Sequence, residues 1–431
     1  MAVTDARLAA NSYYTATAPL PPAQPALDAD AACDVAVVGG GIAGLSAALE
    51  LAQRGFDVRL LEAGRVGGGA SGRNGGQAIH GLACDQQVIE AQLGVDDARR
   101  VWAMSIEALE LLRRRIAEHA IDCEWQDGFL GLATSARKAR ALAAWADRIE
   151  SVYGYALTRI DAAEVGRWIA SPRFHGGIHD ARSGHLHPLK YTLGLARAAA
   201  AAGVQIHENA RVERLDPGQP ALLHGGGATL RARQVVHAGN VYLGDLVPAI
   251  AGRIMPVGTY IGCTEPLGAA RAAALVPSRA AVCDTNFVLD YFRPTADHRL
   301  LYGGRVSYSG RAPVDVARSM RQRLRLSFPQ LAEARIEYAW GGHVDISMNR
   351  APDFGRLGAA RNVYYLQGFS GHGLALAGLA GRIVAEAIAG DASRFDVFAR
   401  LRHRDFPGGA ALRMPALVLG MAWYRLRDML G

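Results

Sequence analysis

Lysine is nearly absent from this sequence: only Lys138 and Lys190 occur among the 47 basic residues, so arginine supplies almost all of the positive charge behind the net charge of +7. The arginines are spread over the whole length, with no basic block and no basic-aromatic motif, so we do not expect nucleic-acid binding. No apolar run reaches the roughly 18 residues that span a bilayer. Residues 1–30 lack the basic start and apolar core of a signal peptide, which favours a cytoplasmic protein.

Cysteine pairs and metal-ligand clusters are also missing. The five cysteines are odd in number, scattered and without a CxxC pair. This pattern argues for reduced thiols and against a disulfide framework or a metal site. His185 and His187 lack a third ligand close in sequence, so packing or helix capping explains them better than metal binding.

The chain itself is long, with 431 residues of which 50% are hydrophobic and 20% charged. This is the composition of a globular enzyme with more than one lobe. After a Pro-rich arm, the segment "CDVAVVGGGIAGLSAALELAQRGFDVRLLEAG" predicts a strand at Asp34–Val38, a helix at Ile42–Arg54 and a strand at Val58–Glu62. The right-handed crossover of such a βαβ unit implies a parallel sheet.

The turn of this unit carries the GxGxxG pattern at Gly39, Gly41 and Gly44. The first glycine allows a sharp turn, the second lets backbone approach a pyrophosphate, and the third allows close packing of helix and strand. Glu62 follows at the end of the second strand, where a carboxylate can accept hydrogen bonds from ribose hydroxyls. The combination predicts a dinucleotide-binding site at the N-terminus of the helix.

A second glycine cluster, "GRVGGGASGRNGGQAIHG" at residues 64–81, distinguishes between the possible dinucleotides. An NAD dehydrogenase has no evident need for it, whereas its flexible backbone can lie along a second cofactor segment while Arg73 and Asn74 supply donors. With this motif, "VVGGGIAGLSAAL", "GHLHPLKY", "GFSGHG" and "GMAWYRLRD", the chain resembles the FAD-dependent oxidoreductases of the D-amino-acid oxidase (DadA-like) superfamily, and most closely their γ-glutamylputrescine oxidoreductase branch.

The resemblance implies an α/β (α+β) fold with a discontinuous Rossmann-like FAD-binding domain and a second, antiparallel-sheet substrate domain. The implied division is an N-terminal arm at 1–31, an FAD-binding domain at 32–85, 178–245 and 335–395, a substrate domain at 86–177 and 246–334, and an amphipathic helical tail at 396–431. The tail could touch a membrane surface weakly, but docking on the protein itself is the simpler interpretation. The oligomeric state stays open.

The resemblance also implies the residues that hold FAD. They are Gly39, Gly41, Gly44, Glu62 and Ala63 for the ADP half; Ser71, Arg73, Asn74, Gly75 and Gln77 beside the pyrophosphate and flavin; Val212 and Gly239 over the nucleotide; and Gly368, Ser370, Gly371, His372 and Gly373 at the flavin. Sarcosine oxidases of the superfamily tether flavin through a cysteine and use a nearby lysine. Because no cysteine follows Cys283 and segment 253–308 has no lysine, we expect non-covalent FAD.

Candidate pocket residues lie on the predicted antiparallel sheet and at the flavin turn. His372, His343, Tyr291 and Arg305 are the catalytic candidates, and Tyr260, Arg293, Trp340 and His80 are further ones. Tyr291 and Trp340 could instead be core aromatics, Arg293 and Arg305 solvated strand residues, and His343 a structural histidine.

The implied activity is hydride removal from the amine-bearing carbon of a γ-glutamylputrescine-like primary amine, giving an imine and then an aldehyde, as in putrescine catabolism. Oxygen or another acceptor would take the electrons. Two alternatives stay open: oxidation of D-amino acids or secondary amino acids such as sarcosine or glycine, with Arg293 or Arg305 clamping a carboxylate, and a non-catalytic FAD-binding subunit.

Overall fold

The protein was analysed as a computed structural model that describes residues 9–307 and 315–407. The described strands are β1 Ala31–Val38, β2 Val58–Leu61, β3 Gln77–Ala78, β4 Gln126–Leu132, β5 Thr158–Ile160, β6 Gly177–His185, β7 Gln205–His207, β8 Arg214–Asp216, β9 Ala221–Gly225, β10 Ala228–His237, β11 Ile254–Thr264, β12 Ala281–Asp284, β13 Tyr291–Pro294, β14 Leu300–Ser307, β15 Ile336–Ser347, β16 Asp353–Leu357 and β17 Val363–Gln367.

The described α-helices are α1 Tyr13–Thr17, α2 Ile42–Gln53, α3 Gln86–Leu93, α4 Val95–Glu118, α5 Ala136–Tyr153, α6 Val165–Trp168, α7 Pro188–Ala201, α8 Pro248–Ala251, α9 Ala269–Leu275, α10 Val316–Ser327, α11 Gly373–Ile388 and α12 Ser393–Ala399. No single described helix is both long enough and apolar enough to cross a membrane. The bent pair α11 and α12 meets these criteria together, by length and composition only.

The first sheet contains the predicted βαβ unit. Its strand order is β16-β17-β10-β1-β2-β7, with β9 beside β10 and β8 beside β9. β1 pairs in parallel with β2 and β10, and β10 in parallel with β17. Residues 35–38 of β1 are buried, because the central strands of a parallel sheet are covered on both faces. The predicted strand, helix and strand of residues 34–62 are confirmed to within three residues at each end.

Close helix packing covers one face of this sheet. α11 crosses α2 at Gly381, where an added Cβ would lie 2.5 Å from the Ala47 nitrogen, and the Ser46 hydroxyl donates to the Gly378 carbonyl at 2.5 Å. Beneath them, Arg115 of α4 is 2% exposed and binds Glu50 of α2 at 2.9 Å. The small residues that the sequence places in α11 therefore allow two helices to approach at backbone distance.

The second sheet has the order β15-β11-β14-β13-β12-β4-β6-β3, with β5 beside β6. It is antiparallel except that β12 pairs with β4 in parallel. Residues 77–78, 178–185 and 336–347 pair within this sheet, although the predicted division placed them with the FAD-binding segments. Sheet membership depends on partners far away in sequence, which local patterns do not reveal. Most of the predicted C-terminal tail, residues 408–431, lies outside the described residues.

Candidate functional site

A cavity of about 1560 Å³ lies where the carboxyl ends of the first sheet's strands meet the second sheet. The residues that follow β1, β2 and β10 line one end of it, and residues of β11, β13 and β15 line the other. This is the position at which open parallel sheets bind ligands. Of the predicted cofactor residues, the cavity lining includes Gly39, Gly41, Glu62, Ala63, Ser71, Arg73, Asn74, Gly75, Gln77, Val212, Gly239, Ser370, Gly371, His372 and Gly373.

The three glycines of the GxGxxG turn have distinct surroundings. Gly39 has φ +114°, and a Cβ there would lie 2.7 Å from the Ala238 carbonyl oxygen. Gly41 is the N-cap residue of α2, and a Cβ on it would lie 2.8 Å from Ser71 Oγ. Gly44 does not line the cavity; its Cβ would collide with the Gly39 carbonyl oxygen. The turn therefore exposes backbone to the cavity at two positions and packs the helix at the third.

Glu62 is fixed at the end of β2 by backbone donors. Its Oε2 accepts from the Gly40 N–H at 2.7 Å, and its Oε1 accepts from the Gly64 N–H at 2.8 Å. Burial raises its pKa, and these two hydrogen bonds act against that rise. Each carboxylate oxygen keeps a second acceptor site, so the carboxylate can bind hydroxyl groups in the cavity.

The glycine-rich loop is held by its own polar side chains. Ser71 Oγ accepts from the Ile42 N–H at 2.9 Å and so caps α2 from a distance of 29 residues in sequence. Asn74 donates to the carbonyls of Ala70 and Ser71, both at 3.0 Å, and accepts from the Gly76 N–H at 2.8 Å. The hydrogen-bonding groups of Asn74 therefore hold the loop in place.

Residues beneath the loop account for two of the candidate pocket residues. Trp340 is 1% exposed and donates from Nε1 to the Arg73 carbonyl at 2.9 Å. Arg293, also 1% exposed, donates from Nε to the Gly75 carbonyl at 2.8 Å and from a terminal nitrogen to the Tyr14 hydroxyl at 3.2 Å. Neither residue lines the cavity. The expectation that Arg293 clamps a substrate carboxylate is therefore wrong, because its side chain holds the loop from behind.

The second glycine turn, residues 368–373, is organised by Asp345 of β15. Asp345 is 1% exposed, and its Oδ2 accepts from the amides of Gly368 at 2.5 Å and Phe369 at 3.2 Å. Its backbone carbonyl accepts from Ser370 at 3.0 Å. Burial raises the carboxyl pKa to about 6 against the effect of these amides. Gly368 does not line the cavity, and a Cβ there would lie 3.0 Å from the Asp353 nitrogen.

His372 is held in one tautomer at this turn. Its Nε2 lies 3.1 Å from the Ile79 carbonyl and 3.0 Å from the His80 carbonyl, and since carbonyls only accept, Nε2 carries the proton. Its Nδ1 makes no hydrogen bond to a described residue. Burial lowers the His372 pKa to about 4, with the charge of His80 acting in the same direction. His372 therefore presents a neutral ring with an available lone pair to the cavity.

Tyr291 lies across the cavity wall from the glycine-rich loop. Its ring fills the space beside Gly75, where a Cβ would lie 2.5 Å from Tyr291 Cε2. Its hydroxyl makes no hydrogen bond to a described residue. Burial raises its pKa above the usual range, so the phenol stays protonated and available as a donor.

The other candidate residues lie elsewhere. His343 and Tyr260 are on β15 and β11 and do not line the cavity, and the side chain of Arg305 lies outside what the structure describes. His80 is buried and bonded to Asp180 at 2.7 Å. His185 donates to the Arg279 carbonyl at 2.8 Å. His187 caps α7 by accepting from the Lys190 N–H at 3.2 Å. Both contacts agree with the expected packing or capping roles of these histidines.

Two cavity residues were missed by sequence reasoning. Asp345 sits in the strand sequence "HVDIS" and Arg350 in the turn "MNRAP" that follows it. A carboxylate between two apolar residues of a predicted strand, Val344 and Ile346, is the signal that could have identified Asp345. Arg350 carries no local signal, because arginine is frequent throughout the sequence.

The residues present fit FAD. Backbone at Gly39–Gly41 and the first turn of α2 offer N–H donors for phosphates, and Glu62 offers acceptors for ribose hydroxyls. The first residues of α11, Gly373 and Leu374, line the same cavity and form a second helix N-terminus that favours negative charge.

The family model described as DAO, FAD dependent oxidoreductase, matches residues 34–387 of this chain. The chain belongs to this family. It is similar to the γ-glutamylputrescine oxidoreductase of Escherichia coli (strain K12), with 44% identity over 98% of this chain and 99% of that protein. It is also similar to the probable oxidoreductase OrdL of Haemophilus influenzae, with 39% identity over 92% of each chain.

Solved structures show the same fold. The glycine oxidase structure from Geobacillus kaustophilus has a TM-score of 0.72 at 21% identity and covers 86% of this chain and 99% of that one. The predicted fold class, FAD dependence and enzyme class are therefore confirmed: the protein is an FAD-dependent oxidoreductase acting on CH–NH2 or CH–NH donors.

Proposed function

We propose that this protein oxidises the free primary amine of a γ-glutamylated diamine such as γ-glutamylputrescine. The observation that carries the proposal is the single cavity that joins the nucleotide-binding turn to an apolar compartment on the second sheet. The relative named γ-glutamylputrescine oxidoreductase, similar over nearly the whole length, supports the substrate class. Met255, Val257 and Leu289 line that compartment.

Bound FAD supplies the redox chemistry by accepting a hydride from a carbon bonded to nitrogen. The protein has to present that carbon with its amine unprotonated, since an ammonium has no lone pair to stabilise the cation that hydride loss leaves. An apolar compartment favours the neutral amine, because burial disfavours the charged form. The resulting imine reacts with water to give an aldehyde and ammonia.

We assign His372 the role of orienting the amine. Nδ1 can accept a hydrogen bond from an amine N–H because Nε2 is already committed to two backbone carbonyls. A pKa of about 4 makes the ring a poor holder of the proton, so the substrate loses its proton to solvent before hydride transfer. Tyr291 can donate a hydrogen bond to a substrate or cofactor oxygen in the same cavity.

Oxidation of an amino acid is less well supported. That alternative relied on Arg293 or Arg305 as a carboxylate clamp close to the reacting carbon, and Arg293 is behind the glycine-rich loop. The side chain of Arg305 lies outside what the structure describes, so the preference for a γ-glutamylated amine is carried by the similarity to the γ-glutamylputrescine oxidoreductase.

Anaerobic reduction of the purified holoenzyme tests the proposal. γ-Glutamylputrescine should remove the visible flavin absorbance faster than putrescine, D-alanine or sarcosine at equal concentration. Reduction by D-alanine or sarcosine alone would refute the proposal. Readmitting air to the reduced protein then shows whether oxygen is the electron acceptor, because prompt return of the colour requires it.

A further inference from the structure

We infer that the Pro-rich segment before β1, residues 18–30, which we call the strap, positions the loop that follows β2, and that strap docking and FAD binding reinforce each other. No residue of the strap is among those that line the cavity. Its role is therefore to position residues that do line the cavity, and it concerns the cofactor rather than the amine.

The strap is an exposed, irregular segment that is held at both ends. It contains no helix or strand, and all of its residues except Ala18 and Leu27 are exposed. It begins directly after α1, whose Tyr14 is fully buried. It ends at β1, where the Asp30 carboxylate accepts from the Thr229 N–H of β10 at 2.8 Å. Between these ends, side-chain contacts rather than secondary structure set its position.

Glu208 joins the strap to the loop after β2. It follows β7 directly and is 3% exposed. Its Oε1 accepts from the Val66 N–H at 2.6 Å. Its Oε2 accepts from the Gln24 N–H of the strap at 2.8 Å and from Arg65 Nε at 2.9 Å. Because a buried carboxylate is costly without such donors, this one residue fixes the strap and the loop relative to each other.

Arg65 makes a second link between the same two segments. A terminal nitrogen of its side chain donates to the Pro21 carbonyl of the strap at 2.6 Å. The donors of a guanidinium form a rigid fork, so binding Glu208 and Pro21 at once restricts the orientation of the side chain. Residues 62–65 all line the cavity, so the strap restrains a cation in the cavity wall.

The backbone that follows Glu208 binds the loop as well. The Asn209 N–H donates to the Gly64 carbonyl at 2.9 Å, and the Ala210 N–H donates to the Glu62 carbonyl at 2.8 Å. Glu62 is the residue whose carboxylate can bind ribose hydroxyls. A shift of Glu208 would therefore be transmitted to the backbone on both sides of that carboxylate.

The apolar contact of the strap lies at the same end of the cavity. Leu27 is 9% exposed and belongs to an apolar cluster that includes Val38 and Leu61. These two residues end β1 and β2, and both line the cavity. Polar and apolar contacts of the strap thus converge on the end of the cavity that is formed by the nucleotide-binding turn.

Thermodynamic linkage makes this coupling measurable from both sides. If the docked strap strengthens FAD binding by some factor, bound FAD must favour the docked strap by the same factor. An exposed segment that is held by few contacts opens locally, without unfolding of the whole protein. Hydrogen exchange of its amides therefore reports docking, and the amide to follow is that of Gln24, which donates to Glu208.

FAD titration and hydrogen exchange of the full-length protein test the inference together. Glu208→Gln should weaken FAD binding about 10-fold, the size expected for one hydrogen bond to a charged group. In the wild type, FAD should slow exchange of the Gln24 amide by about the same factor, and in Glu208→Gln most of that slowing should disappear. Exchange in α5, none of whose residues lines the cavity, should not respond to FAD.

Glu265→Gln is the matched control. Glu265 also accepts from a backbone N–H and an arginine Nε, both of Arg335, but it does not line the cavity, so this variant should keep wild-type FAD affinity. If Glu208→Gln does not fold, Gln24→Pro removes the donor from the strap side, because proline has no N–H, and should also weaken FAD binding.

Three results would overturn the inference. One is a Gln24 amide that exchanges equally fast with and without FAD. Another is equal slowing by FAD in the strap and in α5, which would report general stabilisation only. The third is a Glu208→Gln or Gln24→Pro variant that loses stability as apoprotein but binds FAD as tightly as the wild type, which would make the strap a structural element alone.

Discussion

Replacing Asp345 by asparagine should make the protein's stability depend less on pH. In the native protein one carboxylate oxygen, Oδ2, accepts from both Gly368 and Phe369, and asparagine offers one amide oxygen that can do the same. Asparagine therefore resembles the protonated carboxyl. Alanine offers no acceptor and leaves both amides of the glycine turn without a partner.

The size of the effect follows from the pKa. Burial raises the pKa of Asp345 from 3.8 to about 6. Between these values the folded protein keeps the proton while the unfolded chain has lost it, so this group's contribution to stability falls as the pH rises. The contribution is complete below the unfolded pKa and lost above the folded one, and a difference of two units corresponds to at most about 3 kcal/mol.

Denaturant unfolding at a fixed FAD concentration and at several pH values measures this difference. The free energy of unfolding of Asp345→Asn should rise relative to wild type by up to about 3 kcal/mol as the pH increases from below 4 to above 6. Asp345→Ala should instead bind FAD more weakly at every pH, because the turn loses its acceptor. The control is Asp315→Asn, which removes an exposed carboxylate but keeps the α10 cap. Parallel curves for wild type and Asp345→Asn would refute the reasoning.

Four further predictions concern the cofactor, the glycine-rich loop and the amine. Glu62→Gln should weaken FAD binding about 10- to 100-fold in fluorescence titrations of the apoprotein, since one acceptor oxygen becomes a donor; unchanged affinity would exclude a hydrogen bond to ribose. Gly41→Ala should also reduce FAD affinity, because its Cβ displaces the Ser71 hydroxyl that caps α2; normal affinity would show that the turn can shift. Trp340→Phe should lower the free energy of unfolding by about 1 kcal/mol through loss of its hydrogen bond to the loop; unchanged stability would contradict this. At low substrate concentration, the rate of anaerobic flavin reduction should rise with pH up to the pKa of the substrate amine, about 10. A change of slope in this pH profile near neutral pH would instead show that His372 titrates as a base.

The parts of the site that follow from short-range spacing could be predicted. Gly39, Gly41 and Glu62 belong to one strand–helix–strand unit, and their geometry follows from a turn that allows few conformations. The glycine-rich loop was identified as a cavity wall for the same reason, since glycines at close spacing indicate backbone approach.

Roles that depend on distant partners could not be predicted. Arg293 reaches the loop from 218 positions away, and Trp340 from 267. On a predicted strand, an arginine bound to a backbone carbonyl and one that binds substrate look the same. Tyr14 shows the same difficulty, because the N-terminal arm gives no hint that its hydroxyl meets Arg293 beneath the loop.

The contact between α2 and α11 fixes the spacing of two helix N-termini. Both helices begin at the cavity, and at Gly381 an added Cβ would lie 2.5 Å from the Ala47 nitrogen, so there is no room for a side chain. Each N-terminus carries partial positive charge and favours negative charge beside it. Gly381, a residue that does not line the cavity, therefore helps to set the distance between two positively polarised helix ends on the cavity wall.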